Sequence, residues 1–222
     1  MKQPGPDFPR GPLSHHSNGH SNGSSNGHGR AEEATKERPA PGAGPFGLGL
    51  FLISLAVLFL AGVVLWFVFA ARAEAWPPPG VFLPRGLLTS TVLLAITSAL
   101  LQVSIPLARA GRLLRLRVVL IGAVLSGVTF LGNQIVVWFR FHHPDGLLAT
   151  GTFGWLFYFL TGLHALHVVG GLVPVFVVAV NAHYERILPH RLDGLRYVTT
   201  YWHFLGLVWL VLYGLFLTAG LR

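Results

Sequence analysis

The stretch "FGWLFYFLTGLHALHVVGGL" runs from Phe153 to Leu172 without one Asp, Glu, Lys or Arg. A helix crossing the roughly 30 Å hydrocarbon core of a bilayer needs about 20 predominantly apolar residues, and this stretch supplies them. Hydrocarbon offers no water to peptide groups, so a chain at that depth must close its own backbone hydrogen bonds as a helix. Barrel strands are shorter and alternate apolar with polar residues, which this stretch does not do. It therefore reads as a transmembrane helix. It also carries His164 and His167, and ionisable residues inside a membrane are functional suspects by default.

Working outward, four more apolar spans appear, none containing a charged residue. The first runs from about Phe46 to Ala71, the second from Gly86 to Ala108 and the third from Val118 to Phe139. The fourth lies within Gly146 to Tyr184 and holds the opening stretch; the fifth lies within Tyr197 to Leu221. The expected fold is an all-α integral membrane bundle of five transmembrane helices over residues 46–222. Residues 1–45 form a separate segment. "SHHSNGHSNGSSNGHGR" followed by "RPAPGAGP" has no apolar periodicity, so it cannot bury enough surface to offset its ordering entropy, and a disordered tail is expected. Its histidines 15, 16, 20 and 28 are expected to belong to a solvated extension rather than a metal site. No apolar region follows the N-terminus directly, so a signal peptide is not expected.

Composition agrees. The chain is 52% hydrophobic and 11% charged, whereas charged residues make up about a quarter of soluble domains. It has no cysteine, and its one methionine is Met1. Disulfides, thiolate zinc, iron–sulfur clusters, thiolate-bridged copper and thioether axial ligands are thus excluded within this chain. The formal charge of +8 is not the footprint of a nucleic-acid-binding protein, because the basic residues sit between apolar runs rather than on one soluble face. Placing the N-terminus in the cytoplasm puts Lys2, Arg10, Arg30, Lys36, Arg38, Arg109, Arg112, Arg115, Arg117, Arg186, Arg191 and Arg196 inside. Arg72, Arg85, Arg140 and Arg222 fall outside. That excess predicts a cytoplasmic N-terminus and an outside C-terminus. Trp76 in "WPPPG", Trp138 and Trp155 are expected near the outer interface, and Tyr197 and Tyr201 near the inner one. Ala123 and Gly127 allow close helix contact, and Pro174 predicts a kink in the fourth span.

The polar inventory at membrane depth is Gln102, Asn133, Gln134, His164, His167, His203 and scattered Ser, Thr and Tyr, with no carboxylate. A proton relay of three histidines without an acid would leave an imidazolium lacking a counter-ion. His164 and His167 share one helix face, as two ligands to one metal would, yet the glutamates that complete such sites in ferritin-like bundles are missing. His203 could join them, or pair with one across a haem, although at about 1.5 Å per residue it sits several ångströms toward the cytoplasmic side of His167. The expectation adopted is neutral imidazoles hydrogen-bonded across helices, worth about 0.6–2 kcal/mol each.

Two motifs carry a family resemblance. "TYWHFLGLVWLVLYGLF", Thr200 to Phe216, resembles the last-helix signature of cytochrome c oxidase subunit III, and Phe153 to Leu172 resembles its preceding helix with paired histidines. "LFLISLAVLFLAGVVLWFVFAARAEAWPPPG" is similar to the first helix of the short, five-helix bacterial form, and "FLGNQIVVWF" to its third. The resemblance implies a scaffold subunit of a haem–copper terminal oxidase in the bacterial cell membrane, touching the catalytic subunit I, other oxidase subunits and lipid. It implies haem and copper in those partners and none here. No residue is expected to be catalytic, cofactor-binding or metal-ligating. Gln134, His164, His167, Trp202, His203 and Trp209 match the family pattern and are expected to pack and hydrogen-bond.

Three acids usual in that family are replaced. Leu55 follows Ser54 where a glutamate is usual, Val137 stands three residues after Gln134, and Gly206 takes the acid position of the last helix. A proton-related role carried by those carboxylates is therefore not expected. The alternatives are an accessory subunit of a nitric-oxide reductase and an independent b-type haem protein using His203 with His164 or His167. A transporter is the weaker third, since paired broken helices and midplane charges are absent from the sequence pattern.

Overall fold

The computed structural model describes residues 43–78, 86–141, 151–184 and 192–220. Five helices follow in order: α1 Ala43–Arg72, α2 Gly86–Arg109, α3 Leu113–Phe141, α4 Thr152–His183 and α5 Asp193–Gly220. Among the described residues there is no strand. All five helices are long and apolar enough to cross a membrane, so the chain is a multi-pass membrane protein. The tail to residue 42, with its four histidines, and Arg85, Arg186, Arg191 and Arg222 lie outside the described residues.

The helices extend past the apolar spans at their ends. α3 begins at Leu113 and takes in Arg115 and Arg117 before the apolar run, then Arg140 after it. A helix has no reason to stop where the hydrocarbon does, and long basic side chains reach the interface from its ends. The turn between α2 and α3 is set by Gly111, whose φ of 64° lies in the left-handed region. There Arg112 N donates to Leu107 O at 3.1 Å and Gly111 N to Ala108 O at 3.2 Å. That pair of bonds is the Schellman closure, which satisfies the last carbonyls of α2.

Packing follows a repeat visible in the sequence once the helices are known. The buried residues of α2 are Leu87, Ser90, Leu94, Thr97, Leu101, Ser104 and Ala108. Along α3 Leu116, Leu120, Ala123, Gly127, Phe130, Gln134 and Val137 are buried. Both sets alternate steps of three and four, the seam of helices packed knobs-into-holes. α2 packs most extensively on α3, α3 on α4, and α5 on both α2 and α4, while α1 lies against α5 and α4.

Lipid tails are as apolar as leucine, so close fit and hydrogen bonds must hold helices together. Gly127 shows the fit expected of it. A Cβ there would stand 2.7 Å from Leu172 and 3.2 Å from Trp202, so its absence lets the Trp202 indole, fully buried, seat against α3. The tryptophans expected at the interface divide. Trp155 is 56% exposed, and Trp138 is half-buried and bonded to α4. Trp76 instead tucks inward, with its ring 5.0 Å from both Trp66 and Phe153. α4 continues as helix through Pro174.

Candidate functional site

The seam between α2 and α3 holds a polar ladder. Asn133 Nδ2 donates to Ser90 Oγ at 2.8 Å and to the Gly86 carbonyl at 2.9 Å. Ser90 Oγ in turn donates to Gln134 Oε1 at 3.4 Å. Deeper along the seam Ser126 Oγ donates to the Leu93 carbonyl at 3.0 Å. α3 and α4 are tied by Trp138 Nε1, which donates to Thr161 Oγ1 at 3.2 Å, and by Tyr158 OH, which donates to the Trp138 carbonyl at 3.2 Å. Arg117 Nε donates to the Ala182 carbonyl at 3.0 Å, at the opposite ends of the same two helices.

His164 occupies the centre and is fully buried. Its ring is enclosed by Trp209 at 5.0 Å, Phe130 at 5.9 Å and Phe59 at 6.1 Å. Neither ring nitrogen has a hydrogen-bond partner among the described residues. The expectation of a hydrogen bond across helices is corrected here: three aromatic rings, from α1, α3 and α5, hold this imidazole by ring contacts rather than by donor–acceptor pairs. Trp209, which packs on it, is anchored separately, donating its Nε1 to Thr91 Oγ1 on α2 at 2.9 Å. Trp202 Nε1 and Gln134 Nε2 are likewise buried without a partner among the described residues.

His167, one turn along, bonds within its own helix. Its Nδ1 lies 2.7 Å from the Leu163 carbonyl, and its ring edge meets Phe59 at 5.4 Å. The link from this position to α5 is made by backbone, because Tyr201 OH donates to the His167 carbonyl at 3.0 Å. His203 alone of the three bridges helices through hydrogen bonds of its ring. Its Nδ1 is 2.5 Å from Ser98 Oγ and its Nε2 is 3.0 Å from Gln102 Oε1, both on α2.

The three imidazoles are thus taken up by three different environments: an aromatic cage, a backbone carbonyl and a polar pair on α2. The structure does not bring His203 to His164 or His167 as facing ligands. No group of three or more His, Cys, Asp or Glu that would hold a metal ion occurs among the described residues. The interhelical partners Ser98, Thr91 and Ser90 were not singled out by sequence reasoning, and Gln102 was not paired with His203. A signal for the α2 face was the seven-residue recurrence of Ser90, Thr97 and Ser104, a stripe of small polar residues facing the bundle.

The three positions at which the family resemblance leads an acid to be expected have distinct surroundings. Leu55 and Val137 are buried apolar side chains, and Val137 packs so closely on α2 that a Cβ on Gly86 would collide with it. Gly206 lines an open groove between α2 and α5, beside His203.

The model of one protein family, cytochrome c oxidase subunit III, matches residues 41–220. The chain is 30% identical over 170 residues to a probable cytochrome c oxidase subunit 3 of Nocardia farcinica, covering 75% of this chain and 82% of that one. It is 30% identical over 165 residues to a probable cytochrome c oxidase subunit 3 of Mycobacterium tuberculosis, covering 72% and 81%. A cytochrome c oxidase subunit 3 of a Synechocystis species is 29% identical over 190 residues, covering 82% and 78%.

Proposed function

Since the chain belongs to the cytochrome c oxidase subunit III family, we propose that it is a non-redox accessory subunit of a haem–copper terminal oxidase, bracing the catalytic subunit within the membrane. The observation that carries this reading is the family match over residues 41–220, which spans all five helices. The bundle supports it in chemical terms. Its membrane histidines are dispersed and individually engaged, its tryptophans and phenylalanines build the core, and its polar side chains mostly join one helix to the next. Such an interior supplies rigidity. Haem and copper, with the electron and proton transfers that they carry, belong in this reading to partner chains.

The finer assignments go with it. The N-terminus lies in the cytoplasm, because Arg109, Arg112, Arg115 and Arg117 cluster at one end of α2 and α3. The membrane is the bacterial cell membrane. The segment through residue 42 is an extension to the membrane domain, which the five helices form from Ala43 onward. Gln134, His164, His167, Trp202, His203 and Trp209 act as packing and hydrogen-bonding groups that keep the bundle in one arrangement.

Mild-detergent purification from native membranes, with identification of the co-purifying chains, tests the proposal. A haem-containing oxidase subunit in stoichiometric amount is the expected result. Purification of the chain alone, free of any oxidase subunit, would remove the scaffold reading. The isolated chain gives a second check, since its visible spectrum is expected to lack a Soret band. A stoichiometric Soret band lost in His203→Ala would revive the b-type haem alternative.

A further inference from the structure

The groove between α2 and α5 has a volume of about 490 Å³ and runs along α2 from Thr91 to Gln102. Its lining includes the small residues Ala95, Ala99 and Gly206 and the polar residues Ser98, Gln102 and His203. Gln102 and His203 are exposed. Their depth makes that exposure costly. α2 has 24 residues, about 36 Å of helix, so a hydrocarbon core of about 30 Å reaches to within about 3 Å of each end. Gln102 lies seven residues from the end at Arg109, about 10 Å in, and Ser98 about 16 Å in, near the middle. Both lie well inside the hydrocarbon.

The local hydrogen bonds do not exhaust these groups. Gln102 Oε1 can only accept, so His203 Nε2 donates to it, and Nδ1 of the neutral imidazole then accepts from Ser98 Oγ. The amide nitrogen of Gln102, with two N–H donors, has no partner among the described residues. An unmatched amide donor in hydrocarbon costs several kcal/mol. A lipid acyl chain cannot accept its hydrogen bond, and the ester carbonyls of a phospholipid sit at the interface, not at this depth. A helix can. A groove lined by alanine and glycine admits another helix at close range, and helix association in membranes uses that combination of small residues and polar contacts.

We propose that the α2–α5 groove receives a transmembrane helix of another subunit, which presents an oxygen acceptor, from a hydroxyl, amide or carboxyl side chain, to the Gln102 amide beside His203. That the helix belongs to an oxidase chain rests on the function proposed above; the demand for an oxygen-bearing helix rests on the groove itself. Gly206 is the notch that admits it. A Cβ at Gly206 would meet nothing within 4 Å, so a larger residue there blocks the groove without disturbing this chain's own packing.

The chain has no cysteine, so a single introduced thiol is unique. Ala99→Cys and Leu210→Cys place a benzophenone probe in the groove; Val128→Cys on α3 and Val177→Cys on α4 serve as exposed controls. Photolysis in native membranes is expected to join the groove positions to another polypeptide and the controls to lipid. Gly206→Leu is expected to lower co-purification with the complex at least tenfold without lowering the chain's own unfolding midpoint. Gln102→Leu is expected to lower it about three- to tenfold. Lipid adducts alone at Ala99→Cys and Leu210→Cys would overturn the inference, as would wild-type co-purification of Gly206→Leu. If the controls capture the partner instead, the subunit assignment stands and the face assigned here is wrong. If no position captures another chain and the protein purifies alone, both fall.

Discussion

Two adjacent glycines on α4 are expected to respond to alanine in opposite directions. A Cβ on Gly171 would stand 2.7 Å from Tyr201 Cε1, 3.2 Å from Cδ1 and 3.3 Å from Leu205 Cδ1. Ordinary contact between carbons is about 3.5–4 Å, so the tyrosine ring must retreat by about 1 Å. It cannot do so freely, because its hydroxyl donates to the His167 carbonyl at 3.0 Å. Overpacking a fitted site costs about 1–3 kcal/mol, and a hydrogen bond in a membrane bundle contributes about 0.6–1.7 kcal/mol. Alanine returns about 0.5–1 kcal/mol through its better helix propensity. Gly171→Ala is therefore expected to destabilise the bundle by about 1–4 kcal/mol. At Gly170 a Cβ would meet nothing within 4 Å, so Gly170→Ala is expected to stabilise by the propensity term alone, about 0.5–1 kcal/mol. Reversible unfolding of the purified chain in mixed micelles, followed by far-ultraviolet circular dichroism, measures both. A double-mutant cycle with Tyr201→Phe isolates the mechanism: the phenol deletion should cost about 1 kcal/mol in the parent and close to nothing in the Gly171→Ala background. Equal shifts for the two alanine variants, or full additivity in the cycle, would refute the close-approach account of the α4–α5 contact.

His164→Phe forfeits no hydrogen bond, because the cage of Phe59, Phe130 and Trp209 offers the ring none, and should cost only the overpacking of a larger ring, about 1–3 kcal/mol. His164→Ala should cost about 2–5 kcal/mol through the cavity it leaves; loss of oxidase turnover with a fully assembled His164→Phe complex would instead reveal a chemical role. Ser90→Ala leaves Asn133 and Gln134 each short of a partner, so a loss of about 1–2 kcal/mol in the same unfolding assay is expected. Deleting residues 1–40 should leave insertion and helix content unchanged, measured by alkaline extraction of membranes and circular dichroism; failure to insert would show that the tail is more than an extension.

Run length alone made the five helices legible, since backbone polarity in hydrocarbon permits little else. The histidines were harder, because their roles depend on how each helix is rotated against its neighbours. His164 and His167, three positions apart, differ by about 60° around α4. That suffices to put one among aromatic rings and to leave the other bonded to its own helix. The direction of His203 toward α2 required knowing that α2 and α5 are neighbours, which no local pattern states. Gln102 and Ser98 stand on α2 about one hundred residues before the imidazole that they meet. By contrast the close approach at Gly127 was readable, because a small residue in an apolar helix has few other uses.

The position of α1 has a consequence for how the protein is made. Its main neighbours are α4 and α5, which begin at Thr152 and Asp193, while α1 ends at Arg72. At a synthesis rate of about 5–20 residues per second, α1 waits about 4–16 s for α4 and about 6–24 s for α5. During that interval it must reside in lipid without its mates. It is the most apolar of the five spans, with 17% of its most apolar stretch buried against 44% for α5. Of these five helices the earliest translated is thus the one least dependent on company, and the latest closes the bundle around itself.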